Sequence, residues 1–149
     1  MMGTIWLILC AMVFGGIMDA IGALAKISSF MLHLFDSVFG LFASTVFTCI
    51  GLNFTASDQY LAIVVPGKMY SKAFKEKGLA PENLSRTLED SGTVTSVLIP
   101  WNTCGAYHSG VLGVSVGEYF IYAIFNWLSP FTTLLFAALR IKIRQLATK

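Results

Sequence analysis

The sequence predicts an all-α integral membrane protein, a multi-pass helical bundle with a re-entrant hairpin and a broken helix. Three observations carry that prediction. Of the 149 residues, 56% are apolar and only 12% are charged, about half the ~25% of an ordinary soluble domain. Nine of the 18 charged side chains (10 Lys and Arg, 8 Asp and Glu) fall between Lys68 and Asp90, and Arg140, Lys142, Arg144 and Lys149 close the C-terminus. Between these polar stretches run long apolar segments, two of them interrupted by knots of Ser, Thr, Asn and Asp. A globule of this size with so few charges would expose large apolar patches. The net charge of +2 is too small and too clustered to point to nucleic acid. The lipid bilayer is the expected solvent and partner.

Thr4–Leu24 is long enough to cross a ~30 Å hydrocarbon core as a helix. No Lys or Arg precedes it and the run is too long for a secretory signal, so it reads as a span. The second apolar segment starts at Phe30, meets the polar knot Asn53–Gln59 and resumes as the short run Tyr60–Val65, closed by Pro66-Gly67. That run is too short to cross alone, so residues 30–66 are expected to form a hairpin with the knot as its turn. Irregular backbone at membrane depth survives only where protein or a water-filled cavity satisfies it, so the knot is expected to line something.

Residues 67–90 are expected to be a polar loop with its own short helix. Pro81 and Glu82 suit a first turn, Leu84 and Leu88 share a face, and Ser91-Gly92 ends it. Residues 93–116 are apolar but broken at Pro100-Trp101-Asn102-Thr103, where proline removes one backbone bond and Asn102 and Thr103 can cap a restarted half-helix. A last span covers 119–139, kinked at Pro130. Basic residues favour the cytoplasmic side. The clusters Lys68–Lys77 and Arg140–Arg144 share that side if two crossings separate them, which places the C-terminus in the cytoplasm.

Ionisable groups inside apolar segments are functional candidates by default, because an ionised Asp at a helix centre costs roughly 2.5–3.5 kcal/mol. Asp19 lies near the inner end of the first span, within reach of headgroups. Asp36 has His33 three residues away on the same helix face, a pair equally suited to packing or to a proton relay. Asp58 suits the N-cap of the short helix after it, and His108, beyond the second break, is the other possible relay group. Cys10, Cys49 and Cys104 lack any CxxC or ligand-spaced His, so they read as small packing residues. Gly113 and Gly117 form a GxxxG that suggests close helix packing. Asp19 and Asp36 lie in no GxGD setting and there is no GxSxG, so an intramembrane enzyme is disfavoured.

The two polar breaks between apolar half-helices are the informative feature. Secondary transporters hold cations near the midplane at such breaks, with carbonyl, hydroxyl and carboxylate oxygens as ligands. A carboxylate that holds either Na⁺ or H⁺, but not both, is the simplest physical basis for exchange.

Three runs, Asn53–Gly67 (NFTASDQYLAIVVPG), Leu79–Thr93 (LAPENLSRTLEDSGT) and Ile99–Tyr107 (IPWNTCGAY), together resemble the NhaC-type Na⁺/H⁺ antiporter family. The resemblance implies a sodium–proton antiporter of the cell membrane, one repeat of an inverted-repeat transporter, with no organic cofactor. It carries Thr55, Ser57, Asp58, Asn102 and Thr103 over as the ion site. Asp58 would be the exchangeable carboxylate, and Na⁺ would sit at Ser57, Asp58, Asn102 and Thr103. His108 stands where the family pattern leads one to expect an apolar residue. Relatives that exchange organic acids or amino acids share these motifs. Family members are about three times this long and the chain matches their C-terminal half. A missing N-terminal half or a second chain is therefore implied, or else a truncated remnant that does not transport.

Overall fold

The computed structural model describes residues 37–141 and 143–146, with scattered positions between 5 and 30. Most of the first expected span, and Asp19, His33 and Asp36, lie outside the described residues. The regular elements among the described residues are all helices, apart from one isolated bridge between Leu79 and Gln145.

Helix α1 (Val38–Thr55) opens where the Ser37 hydroxyl accepts the Gly40 N–H at 2.9 Å, which satisfies one of the donors a helix start leaves open. Its 18 residues rise about 27 Å, and it is the one described helix both long and apolar enough to cross a membrane. Leu41, Phe42, Val46, Cys49 and Leu52 are buried, at the three- and four-residue spacing of a helix face. Thr45 and Thr48 lie among them with their hydroxyls donated back to Leu41 O and Ser44 O.

Helix α2 (Gln59–Glu76) folds back antiparallel on α1. Near the start of α1, Phe42 meets Phe74 edge to face at 5.1 Å between ring centroids. In mid-helix the Thr48 and Tyr70 hydroxyls are 2.8 Å apart, and near the turn Leu52 packs with Ala62 and Val65. The chain reverses at Ala56–Asp58, with Ser57 at φ 57°, a left-handed conformation that costs a non-glycine residue free energy.

Pro66-Gly67 does not close this element. The helix continues through both residues to Glu76, so most of the expected loop 67–90 is helical. Proline here forfeits one backbone bond, to the Ala62 carbonyl. Tyr70 and Phe74, both fully buried beyond it, each bring ~1.5–3 kcal/mol of apolar burial. Packing outweighs the missing bond.

Helix α3 (Pro81–Leu88) has Pro81 in its first turn and buries Asn83, Leu84, Thr87 and Leu88. It runs into a π-helical turn over Glu89–Thr93 and then a 3₁₀ turn over Ser96–Leu98. Gly92 lies on α2 closely enough that a Cβ would stand 3.1 Å from Ile63 and 3.4 Å from the Ala62 carbonyl. After the break comes α4 (Thr103–Leu112), stopped by Gly113 at φ 71°. Gly113 is a left-handed helix stop, so the GxxxG does not lie on one continuous helix, and a Cβ at Gly113 or Gly117 meets nothing within 4 Å among the described residues.

The expected single span 119–139 is also divided. A capping box, in which Glu118 bonds the Ser115 N–H at 2.7 Å, starts a separate short helix α5 (Val116–Phe120). Only then does α6 (Ile124–Ala138) begin. The principal core joins Leu41, Phe42 and Cys49 of α1 to Tyr70, Phe74, Leu84, Leu88 and Ala137. The end of the described chain is tied to the α2–α3 link. Arg144 O accepts from Ala80 N (3.0 Å) and Asn83 Nδ2 (2.6 Å), and Leu146 N donates to Gly78 O (2.7 Å).

Candidate ion-binding site

The two interruptions meet. Asp58 is the N-cap of α2, its Oδ1 accepting from Tyr60 N at 2.6 Å and Leu61 N at 3.3 Å. Oδ2 takes neither of these bonds. Asn102 is the N-cap of α4, its Oδ1 accepting from Cys104 N at 3.1 Å. The first N–H of α4, that of Thr103, is donated to the Ser57 carbonyl at 3.0 Å, so one break caps the other. Gly105 lets α4 start tight against the turn that precedes it. A Cβ there would lie 2.1 Å from the Ile99 carbonyl oxygen.

Two carbonyls at the end of α1 accept from the second break. The Asn102 side-chain amide donates to Asn53 O (3.1 Å) and Asn53 Oδ1 (3.2 Å). The Trp101 indole donates to Phe54 O at 2.8 Å, with its ring edge to face against Phe54 at 4.6 Å. Asn53 then donates to Gly92 O (2.6 Å) and Thr95 Oγ1 (3.2 Å). Asn53 and Asn102 are both fully buried. A buried amide with every bond made fixes its neighbours' positions, because any displacement strands a polar group.

Ser57, Asp58, Asn102 and Thr103 are therefore assembled at one crossing. Asn102 has both ends of its amide engaged, so it holds the crossing together. Thr55 turns away, its hydroxyl donated to Gly51 O one turn back at 2.8 Å on an exposed face. His108 is exposed, with Nδ1 2.8 Å from Cys104 O on its own helix, and so stands apart from the crossing. Asp36 lies outside the described residues.

Asn53, Gln59, Thr95 and Ser96 join this network although none is among the expected ion ligands. Gln59 Oε1 accepts the Cys104 thiol at 2.7 Å and the Ser96 hydroxyl at 3.4 Å, which links α2, the 3₁₀ turn and α4. Asn53 and Gln59 bound the polar knot and were flagged by composition. Thr95 and Ser96 gave no signal, since hydroxyls in an apolar stretch commonly bond back to their own helix. Among the described residues no group of three His, Cys, Asp or Glu side chains is placed to hold a metal ion.

Interrupted helices whose capped ends cross in a buried, oxygen-rich junction define the class of discontinuous-helix membrane proteins. The particular family follows from comparison: the chain belongs to the Na⁺/H⁺ antiporter family, whose model matches residues 1–141. It is 40% identical over 152 residues to the Na⁺/H⁺ antiporter NhaC of Alkalihalophilus pseudofirmus, covering 100% of this chain and 33% of that protein. It is 35% identical over 135 residues to NhaC of Bacillus subtilis, covering 91% and 30%. It is 38% identical over 131 residues to the arginine/ornithine antiporter ArcD of Halobacterium salinarum, covering 86% and 27%. The chain thus spans about a third of the length of the curated relatives it matches. No solved structure matches it.

Proposed function

We propose that this chain is part of a Na⁺/H⁺ antiporter of the cell membrane and supplies one side of its ion site. Asp58 is the exchangeable carboxylate, Ser57 and Thr103 are neutral oxygen ligands, and Asn102 with Asn53 sets their spacing. Thr55 completes the set only if its hydroxyl leaves Gly51. The observation that carries this reading is the bond from Thr103 N to Ser57 O. It sets Ser57, and with it the neighbouring Asp58, against the start of α4 at Thr103, which supports a shared site.

In this reading the protein is a multi-pass bundle, with α1 and α6 against lipid and the rest of the antiporter completing the site. Support comes from the outward apolar side chains of α6, among them Phe125, Phe131 and Leu135, each more than half exposed. The named relatives are transporters, which favours transport over catalysis. The C-terminus is cytoplasmic, because Arg144 is bonded beside the basic Lys68–Lys77 stretch and both belong on the positive-inside face. The ArcD similarity favours a second reading, amino-acid exchange at the same crossing.

The test is sodium-driven proton flux in membrane vesicles holding this chain with the remainder of the antiporter. Asp58→Asn is expected to abolish flux and Asp58→Glu to retain part of it. Undiminished flux in Asp58→Asn overturns the assignment, and flux driven by arginine but not by sodium favours the second reading.

A further inference from the structure

A second carboxylate, Asp90, bonds outside the crossing. It stands in the π-helical turn but ends against the apolar helix α6. Thr133 Oγ1 donates to its Oδ2 at 2.6 Å and Ser129 Oγ to its Oδ1 at 3.3 Å. These hydroxyls are one turn apart, flank Pro130 and are themselves buried. Arg86 Nε is 3.9 Å from Oδ2, with its side chain 56% exposed. A charge-assisted hydrogen bond is about 2.7–2.9 Å long, so the guanidinium accompanies the carboxylate without bonding it. The guanidinium carbon also lies 5.9 Å from the centroid of the Phe136 ring.

Arg86 and Thr133, which contact Asp90, also line a small cavity of about 30 Å³, enough for one water, whose other walls include Phe42, Phe136 and Ile143. Asn83, Arg86 and Ile143 are shared with an open basin of about 420 Å³ that Glu82 and Arg144 border. Arg86 is common to both, between the basin and the carboxylate.

We propose that Asp90, Ser129 and Thr133 form a binding site for a monovalent cation, which Arg86 occupies when no ion is bound. One carboxylate and two hydroxyls make a hard-oxygen set of the kind alkali ions accept. The loose placement of Arg86 makes it a counter-ion that an entering cation displaces towards the basin. The inference rests on the cation-transport reading above but differs in one respect: every ligand is in this chain, so binding requires no remainder of the antiporter.

The experiment is equilibrium binding of radioactive ²²Na⁺ to the purified full chain in detergent, with unlabelled NaCl and choline chloride as competitors. NaCl is expected to displace the label and choline is not. Arg86→Gln is expected to tighten binding about threefold, as suits loss of a partly exposed ion pair. Asp90→Asn is expected to remove binding while helicity by circular dichroism is retained. Absence of binding in the wild-type chain, equal displacement by choline, or unchanged affinity in Arg86→Gln overturns the site. If binding fails while the whole antiporter still shows Asp58-dependent flux, this site falls and the Asp58 reading stands.

Discussion

At the scale of single residues, the crossing depends on side chains that leave no room for error. Gly105 is the plainest case, since any Cβ would sit 2.1 Å from the Ile99 carbonyl oxygen. Gly105→Ala must therefore push α4 away from the break or distort the 3₁₀ turn, at about 1–3 kcal/mol. A thermal melt in detergent is expected to show a clear loss of stability, whereas Gly117→Ala, with nothing within 4 Å among the described residues, leaves the midpoint nearly unchanged. Ser57 is constrained differently, by its positive φ. Its carbonyl, rather than its hydroxyl, makes the decisive bond to Thr103. The sequence marked Asp58 and Asn102 as caps because short polar side chains before apolar runs have few other uses. It gave no sign that Thr55 turns back on α1, because a hydroxyl choosing between its own helix and a ligand leaves no trace in the residue pattern.

At the scale of elements, α1 and α2 are held together by buried polar bonds as well as by apolar area. The Thr48 and Tyr70 hydroxyls pair at 2.8 Å, and Tyr70 also donates to Ser44 O at 3.2 Å. Thr48→Val and Tyr70→Phe are each expected to cost about 1 kcal/mol, with the double variant costing less than the sum. A double-mutant cycle read by denaturation checks this, and strict additivity would count against the pair. Helix α5 has a pH-dependent start. The Ser115 backbone N–H, and after it the Ser115 hydroxyl, hold the Glu118 carboxyl below its ordinary value of 4.5. The cap therefore contributes fully above that ordinary value and is lost as pH falls through the lower folded one. Amide exchange at residues 115–118 is expected to quicken on that acidification, and Glu118→Gln to remove the pH dependence.

At the scale of the whole molecule, the tail is the feature that closes the fold. Asn83 bonds Arg144 through both ends of its amide, donating to its carbonyl at 2.6 Å and accepting its N–H at 3.2 Å. Asn83→Ala is expected to release residues 143–146, seen as fast hydrogen exchange there with α1 still protected. The same docking sets the proposed orientation: a green fluorescent protein fused after Lys149 is expected to fluoresce, and alkaline phosphatase fused there to be inactive. An active phosphatase would invert the topology. The 61% burial of α1 within the described residues shows how much of a membrane-length helix this fold covers with protein.

The sequence by itself determined the helical class, the capped starts at Asp58 and Asn102, the short helix at Pro81 and membership of the antiporter family. Each rests on local pattern: composition, apolar runs, N-cap chemistry and contiguous motifs. Only the tertiary structure decided that Pro66 interrupts nothing, that the last apolar stretch is two helices, and that Asp90 belongs against α6. It alone brought Asn53 onto Asn102 across 49 residues of chain. Proline's local cost is readable, but the burial of Tyr70 and Phe74 that overrides it depends on α1 lying alongside. A buried amide likewise finds its partner through the packing of distant segments, which no local pattern encodes.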